Sequence, residues 1–255
     1  MKCSRLKFDQ VYILVKKDFK LKYDSTALGM LWSIVTPLLM SAVYWFVFGR
    51  MMKWGEGSYA LYIVTGNFVW HYFSSVVQQN GGVLMANAAL IKKTSFDRRL
   101  LIWSTYVSES LHFLLTIPVM LGLMLVFHIM PSPLTFFVNI IAAGVALMYF
   151  SMGISYIYAA ANLFFRDSQR IISVFMRMWL YASPVFIPVS RIPKEYMGIY
   201  EKNPMTQILM TWRDAFYQPA FHPERFPQML AVAFAVFLVG RLVFRSQEPK
   251  FAEMM

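Results

Sequence analysis

The chain has 255 residues, of which 58% are hydrophobic, 17% aromatic and 15% charged, and its mean hydropathy is +0.50. An average soluble domain has about 25% charged residues, so this composition excludes an ordinary soluble fold and predicts an integral membrane protein. The net charge of +11 would suggest a nucleic-acid partner for a soluble chain. In a membrane protein, basic residues first indicate which side of the bilayer each loop lies on. The single cysteine, Cys3, excludes an intramolecular disulfide and a cysteine-rich metal site.

Residues 1–27 are predicted to form a cytoplasmic arm. Residues 6–22 have an apolar side and a cationic side at helical spacing, which is typical of a helix that lies in the headgroup region. The apolar side comprises Leu6, Tyr12, Ile13, Val15 and Phe19, and the cationic side comprises Lys16, Lys17, Lys20 and Lys22. A solvated arm is the alternative interpretation. No apolar core or cleavage site follows the first basic residues, so a signal peptide is not predicted.

Six stretches approach the roughly 20 apolar residues that a membrane span requires. They are 28–48, 59–79, 100–128, 134–161, 170–189 and 227–244. Only short apolar runs lie between the last two, which predicts short re-entrant or external helices there, one of them starting at Asn203–Pro204. The expected fold is one all-α membrane domain over 1–255, with a six-span bundle at 28–244 and a cytoplasmic tail at 245–255.

The distribution of basic residues predicts the orientation of this bundle. Six spans place both termini on one side, and sixteen of the 24 Lys and Arg residues fall on that side against seven on the other. The positive-inside rule therefore predicts that both termini are cytoplasmic. Topology and contact with anionic lipid explain the basic charge, so no nucleic-acid partner is expected.

Several catalytic motifs are absent from the sequence. It contains no P-loop, no H-E-x-x-H and no paired C-x-x-C motif, so we expect no nucleotide, metal or other cofactor on this chain. Glu109 is the only carboxylate predicted inside a span, whereas a proton relay or a glycosidase needs paired acids. The chain is therefore not expected to be an enzyme.

Aromatic residues are concentrated in the first, second and fifth predicted spans. Some of them suit the membrane interface, where tryptophan and tyrosine form belts. Flat aromatic faces also suit the apolar faces of sugar rings, so a sugar-binding pore lining is the second interpretation. The candidate channel residues are Trp32, Tyr44, Trp45, Phe48, Trp70, Trp179 and Tyr181.

Three other features of the spans need an explanation. Arg170 and Arg177 are seven residues apart and share a helix face, so they are candidates for binding a lipid phosphate, with snorkelling to the interface as the alternative. Glu109 and His112 lie one turn apart and are predicted to form a pair within the protein. Small residues in the fourth span are predicted to pack within the protomer; they are Ala142, Ala146, Ser151, Ser155 and Ala159.

Two predicted cytoplasmic loops, 90–99 and 162–167, mix apolar and charged residues at the membrane surface. The first is predicted to form a short helix that lies across the membrane surface. Apolar side chains outside the bilayer indicate contact with a protein or with the membrane surface.

Several segments resemble the permease subunit of polysaccharide-exporting ABC transporters, the type 2 exporter class that moves O-antigen, capsule or teichoic acid. They are Lys22–Ser33 followed by Pro37–Leu38–Leu39, Asn162–Asp167, Ser183–Pro184–Val185, and Asn203–Pro204–Met205 with Trp212–Arg213. The segments occur in the family's order, and the resemblance runs over nearly the whole chain. Asp97 departs from the family pattern, which usually has a proline there, so the first coupling segment is expected to differ in shape.

The resemblance implies a homodimer in the bacterial inner membrane, bound to two copies of a separate ATPase that carries ATP and Mg. It also implies a lipid-linked polysaccharide, with O-antigen as the first candidate, threaded between the protomers. The residues expected to couple to the ATPase are Lys92, Lys93, Phe96, Asp97, Arg98, Phe164, Phe165, Arg166 and Asp167. An ion-coupled flippase or secondary carrier and a membrane-bound glycosyltransferase remain the alternatives.

Overall fold

A computed structural model describes residues 2–23, 29–54, 58–92, 96–165, 167–217, 219–252 and 254. The described residues are mostly helical and include no strand, in agreement with the all-α prediction. The α-helices are α1 (Lys2–Tyr23), α2 (Trp32–Tyr44), α3 (Tyr59–Ala86), α4 (Ala88–Ile91), α5 (Arg99–Leu114), α6 (Ile117–Val126), α7 (Pro133–Phe164), α8 (Ser168–Tyr181), α9 (Lys194–Lys202), α10 (Pro204–Phe216) and α11 (Phe226–Gln247). A 3₁₀ turn at Gly29–Leu31 precedes α2, and a π-helical segment at Trp45–Met51 continues it.

Four described segments are long and apolar enough to cross a membrane. They are Gly29–Met51, Arg99–Val126, Pro133–Phe164 and Pro223–Phe251, which correspond to the predicted first, third, fourth and sixth spans. The predicted second span is α3, whose 28 residues extend about 42 Å. Its polar residues, among them Asn67, His71 and Asn80, lower its hydropathy, and nineteen of its residues are buried among other helices.

The fifth predicted span, 170–189, is not one continuous helix. Helix α8 has 14 residues, about 21 Å, and ends at Tyr181. Residues 182–188 continue as turns and bends that contain Pro184 and Pro188, and proline does not continue a regular helix. The prediction of short helices after this segment is confirmed by α9 and α10.

Side-chain caps explain where two of the helices begin. Asn203 Oδ1 accepts a hydrogen bond from the backbone N–H of Met205 at 3.1 Å, and Pro204 occupies the first turn of α10. This confirms the start that the sequence predicted, because asparagine satisfies a free N–H and proline has none to satisfy. Ser132 Oγ accepts from the N–H of Thr135 at 3.3 Å and begins α7 in the same way.

Helix α7 packs closely against α11 at two glycines. A Cβ atom on Gly153 would lie 2.6 Å from the backbone of Val236, and one on Gly240 would collide with the carbonyl of Gly153. Only glycine permits this backbone contact. Four of the small residues predicted to pack within the protomer are fully buried in the single chain, which supports that prediction; they are Ala146, Ser151, Ser155 and Ala159.

Residues 183–186, which follow α8 without forming a helix, are buried, and side chains of other helices satisfy carbonyl groups of this segment. The Tyr59 hydroxyl donates to the Phe186 carbonyl at 2.6 Å, and the Tyr62 hydroxyl lies 3.0 Å from the Pro184 carbonyl and 2.9 Å from that of Ile187. Without such donors, each buried carbonyl would cost free energy. Helix α3 therefore holds one side of the segment 182–188.

Helix α10 holds the other side of the same segment. The buried guanidinium of Arg213 donates to the carbonyls of Pro184 and Val185, the latter at 2.9 Å, and also to the carbonyl of Tyr62 at 3.2 Å. Asn203 Nδ2 donates to the Ala182 carbonyl at 3.2 Å. We call residues 182–188 the carbonyl loop, because its backbone carbonyl groups have no partners within a helix and are bonded by the surrounding side chains.

Gly66 gives Arg213 its space on α3. A Cβ atom on Gly66 would collide with the guanidinium of Arg213, whereas one on Gly144 of α7 would meet no atom within 4 Å. We expect Gly66→Ala to lower the free energy of unfolding by about 1–3 kcal/mol through overpacking. Gly144→Ala, the matched control, is expected to be neutral or stabilising by about 0.5–1 kcal/mol, because alanine favours a helix over glycine. Thermal unfolding of the purified proteins in detergent measures both effects, and equal melting temperatures would contradict the close approach.

Candidate functional site

The structure divides the predicted aromatic channel residues into separate groups. Trp70 and Trp179 belong to a core group, with their ring centroids 6.1 Å apart. Phe73 and Phe150 complete this group at 5.5 and 5.8 Å from the Trp179 ring. Trp70 is only 5% exposed, and Trp179 Nε1 donates to Asn203 Oδ1 at 3.1 Å. Within this chain, the core group joins α3, α7 and α8 and does not form an open surface.

A second aromatic group lies where α2, the carbonyl loop and α8 meet. The ring of Phe186 lies 4.2 Å from Tyr44, 5.6 Å from Phe48 and 5.8 Å from Tyr181. Tyr181 is exposed, and Tyr44 and Phe48 are half-buried. Trp45, also half-buried, lies under the Arg50 guanidinium at 5.2 Å. This group, unlike the core group, has ring surface accessible from outside the chain.

Trp32 is separate from both groups. Its side chain is 47% exposed and lines a cavity of about 310 Å³ between the end of α1, the start of α2, and helices α3 and α5. The cavity also contains Lys22, His71, Glu109 and His112. We call this space the arm cavity, because α1, the N-terminal arm, forms one of its walls.

An ion pair lies in the wall of the arm cavity. Lys22 Nζ donates to Glu109 Oε1 at 2.9 Å, and the Glu109 side chain is 6% exposed. The sequence predicted His112 as the partner of Glu109, and that pairing stays a prediction; the contact that the structure shows is with a lysine from the distant arm. Helical spacing finds only neighbours on the same helix, so no sequence signal pointed to this contact. Among the described residues, no cluster of three His, Cys, Asp or Glu side chains could hold a metal ion.

Arg170 and Arg177 both lie on the exposed face of α8. The Arg177 Nε donates to the Ser173 carbonyl at 3.2 Å, and no described carboxylate lies within salt-bridge distance of either guanidinium. The same face carries exposed apolar side chains, among them Ile171 and Met178. The two arginines are thus accessible to an anionic group, as their proposed role requires, and that role stays a prediction.

The first predicted coupling loop is held by two arginines. Asp97 accepts two hydrogen bonds from the Arg99 guanidinium, at 2.9 and 3.0 Å. Arg98 Nη1 donates to the Glu248 carbonyl at 2.7 Å and so joins the loop to the tail. Phe96 is half-buried, Lys92 is exposed, and Lys93 lies outside the described residues. The short helix predicted at 90–99 stays a prediction: α4 ends at Ile91, residues 93–95 lie outside the described residues, and residues 96–98 are not helical.

The second predicted coupling loop has an exposed aromatic side chain. Phe165 is 72% exposed, whereas Phe164 is half-buried, Asp167 is exposed and Arg166 lies outside the described residues. Asn162 Nδ2 donates to the Gly81 carbonyl at 2.7 Å and anchors the end of α7 to α3. Sequence reasoning noticed Asn162 only as part of a motif; its buried amide gives it a positioning role.

Comparison with known proteins gives matches over nearly the full length. The sequence profile of the family described as ABC-2 type transporter matches residues 9–217. A protein named O-antigen export system permease protein RfbA, from Klebsiella pneumoniae, is 33% identical over 248 residues, which cover 97% of this chain and 95% of the relative. A Myxococcus xanthus protein of the same name is 29% identical, covering 94% and 93%. The polysialic acid transport protein KpsM of Escherichia coli is 22% identical, covering 93% of each chain.

The two aromatic environments predict different effects of substitution. Trp70→Ala removes a buried ring from the core group and is expected to lower the free energy of unfolding by about 3–5 kcal/mol. Tyr181→Ala removes an exposed ring and is expected to change it by less than about 0.5 kcal/mol. Chemical denaturation of the purified proteins in detergent compares the two. Similar losses of stability in the two variants would contradict the conclusion that Trp70 is a core residue and Tyr181 is not.

Proposed function

This chain belongs to the ABC-2 type transporter family, and we propose that it is the membrane permease of an ATP-driven polysaccharide exporter. Its similarity to O-antigen export permeases over 97% of its length is the observation that carries this proposal. Membership in a transporter family argues against the membrane-bound glycosyltransferase. An ion-coupled carrier is also disfavoured. Such carriers use several acidic residues inside the membrane, and the candidate spans of this chain hold one carboxylate in their interior.

O-antigen is the first candidate for the exported polysaccharide. The relatives at 33% and 29% identity are named O-antigen export permeases, whereas the relative named for polysialic acid transport is 22% identical. Capsular polysaccharide or teichoic acid is the second candidate. We propose that the glycan is joined to a lipid, whose phosphate groups contact Arg170 and Arg177 on the exposed face of α8.

We propose that six membrane crossings and two cytoplasmic termini complete the topology in the bacterial inner membrane. The four candidate spans supply four crossings, α3 supplies another, and α8 with the carbonyl loop supplies the sixth. Helix α3 can cross because Asn67 and Asn80 are buried by other helices and His71 lines the arm cavity. Non-helical backbone is tolerated inside a membrane where it is buried in protein and its carbonyl groups have donors. The carbonyl loop meets this condition, because residues 183–186 are buried and side chains bond its carbonyl groups.

Two copies of this chain are proposed to form the channel. On α2 only Pro37 and Ser41 are buried, and its other face exposes large apolar side chains. These are Trp32, Leu38, Leu39, Met40 and Val43. The aromatic group around Phe186 adjoins this face and the exposed face of α8. Association through these surfaces would cover apolar area and leave aromatic rings along a shared path for sugars.

A separate ATPase is proposed to bind at the two cytoplasmic loops, two copies for each permease dimer. Phe165 supplies an exposed apolar side chain at the end of α7, and Asn162 fixes its position through α3. Apolar side chains that project in this way mark a contact surface. ATP and Mg are expected on the partner subunits, which would transmit their closure through these loops.

The proposed function is tested by deleting the gene for this chain and by purifying the chain with its companion ATPase. We expect the deletion to remove long glycan from the cell surface and to leave lipid-linked glycan inside the cell. We also expect the two proteins to co-purify as a stable complex. A surface glycan that persists after deletion, or an ATPase that never binds the chain, would falsify the proposal. The chemical identity of the lost glycan distinguishes O-antigen from capsule.

The docking surface is tested at Phe165. Replacing it with aspartate is expected to reduce co-purification of the ATPase by roughly tenfold, because a charge replaces a central apolar contact. Phe221→Asp is the matched control, since Phe221 is also an exposed phenylalanine but lies between α10 and α11. The yield of folded permease is measured for both. Equal retention of the ATPase by the two variants would place its binding site elsewhere.

A further inference from the structure

The ion pair in the arm cavity joins two parts of the chain that the proposed function gives different tasks. Lys22 is in the last turn of α1, the cytoplasmic arm, and Glu109 is in the interior of the candidate span Arg99–Val126. Their side chains lie 2.9 Å apart although 87 residues separate them in the chain. A second contact lies one turn away on each helix, where the rings of Phe19 and His112 are 4.7 Å apart.

Glu109 is unusual among the acidic residues of the described chain. Two other carboxylates, Glu224 and Glu248, occur within the four candidate spans, and both are near the ends of their span. A carboxylate in the interior of a span is costly unless it is paired or faces water. Lys22 supplies the pairing, and its side chain remains 42% exposed to the arm cavity, whereas that of Glu109 is 6% exposed. The cost of placing this carboxylate in a span indicates a role beyond packing.

The pair also lies close to the position where the chain enters its first span. Tyr23 ends α1, and the next described residues, Gly29–Leu31, form the turn that leads into α2. Gly29 and Trp32 line the arm cavity together with Lys22 and Glu109. A displacement of α1 relative to α5 must therefore change both the ion pair and the mouth of the cavity that exposes Trp32.

We propose that the Lys22–Glu109 ion pair is a positioning element that couples movement of the arm to the membrane helices during transport. This inference rests on the proposed function, in which the arm lies on the ATPase side of the bundle. The attraction between opposite charges holds the end of α1 against α5. Loss of that attraction leaves the arm free to move without moving the span, so ATP hydrolysis continues with less glycan exported.

The test reverses each charge and then exchanges the two. Lys22→Glu and Glu109→Lys each place like charges together, and we expect each to lower glycan export by roughly tenfold, within the range for residues in direct contact. The exchanged pair, Lys22→Glu with Glu109→Lys, restores opposite charges and is expected to recover most of the export. Lys20→Glu is the matched control, because Lys20 is exposed on the same helix and makes no ion pair among the described residues.

A second variant removes both charges, and it keeps the proposal testable if the charge-reversed variants fail to fold. Lys22→Met with Glu109→Gln leaves no unpaired charge in the cavity, so we expect it to assemble with the ATPase at the normal level. The ratio of glycan exported to ATP hydrolysed is measured for this variant and for the native complex in the same cells or vesicles. A lower ratio supports the proposal, since a merely structural pair would change assembly and not this ratio.

Two results would overturn the inference while leaving the proposed function intact. One is normal export per ATP in the variant without charges. The other is an exchanged pair that assembles but exports no better than the weaker single reversal. A native chain that neither binds the ATPase nor is required for surface glycan would instead overturn the proposed function, and that control is measured first.

Discussion

The backbone acceptors of the carbonyl loop are the constraint on which the arrangement of this bundle depends. A helix that stops in the interior of a bundle leaves carbonyl groups without partners, and apolar surroundings offer none. Here Tyr59 and Tyr62 of α3 and Asn203 and Arg213 of α10 provide the missing donors. Three separate parts of the chain are thereby fixed to one another. Gly66 belongs to the same arrangement, because its missing side chain makes room for the guanidinium.

This constraint explains why α3 has so mixed a composition. A helix exposed to lipid can be uniformly apolar, but a helix in the centre of a bundle must also supply donors and close contacts. Asn67 donates to the carbonyl of Pro37 at 3.0 Å, and Asn80 donates to Ser155 Oγ at 3.2 Å. Helix α3 thus connects α2, α7 and the carbonyl loop through polar groups. These contacts explain why its hydropathy is lower than that of the four candidate spans.

The sequence predicted local properties well and tertiary partners poorly. Composition and apolar length identified the membrane class and four spans, and Asn203–Pro204 located the start of α10, because these signals depend on neighbouring residues. The end of α8 at Tyr181 was missed, since an apolar run continues through residues that no longer form a helix. Trp70 and Tyr181 looked alike as aromatic span residues, yet only contacts from distant helices distinguish a buried ring from an exposed one.

The glycine contact between α7 and α11 has a consequence for how this molecule can move. Gly153 and Gly240 bring two backbones together without intervening side chains, so no rotamer change can absorb a shift between these helices. The pair acts as a single stiff support, against which α3 is also packed. A change of conformation that moves α7 must therefore carry α11 with it.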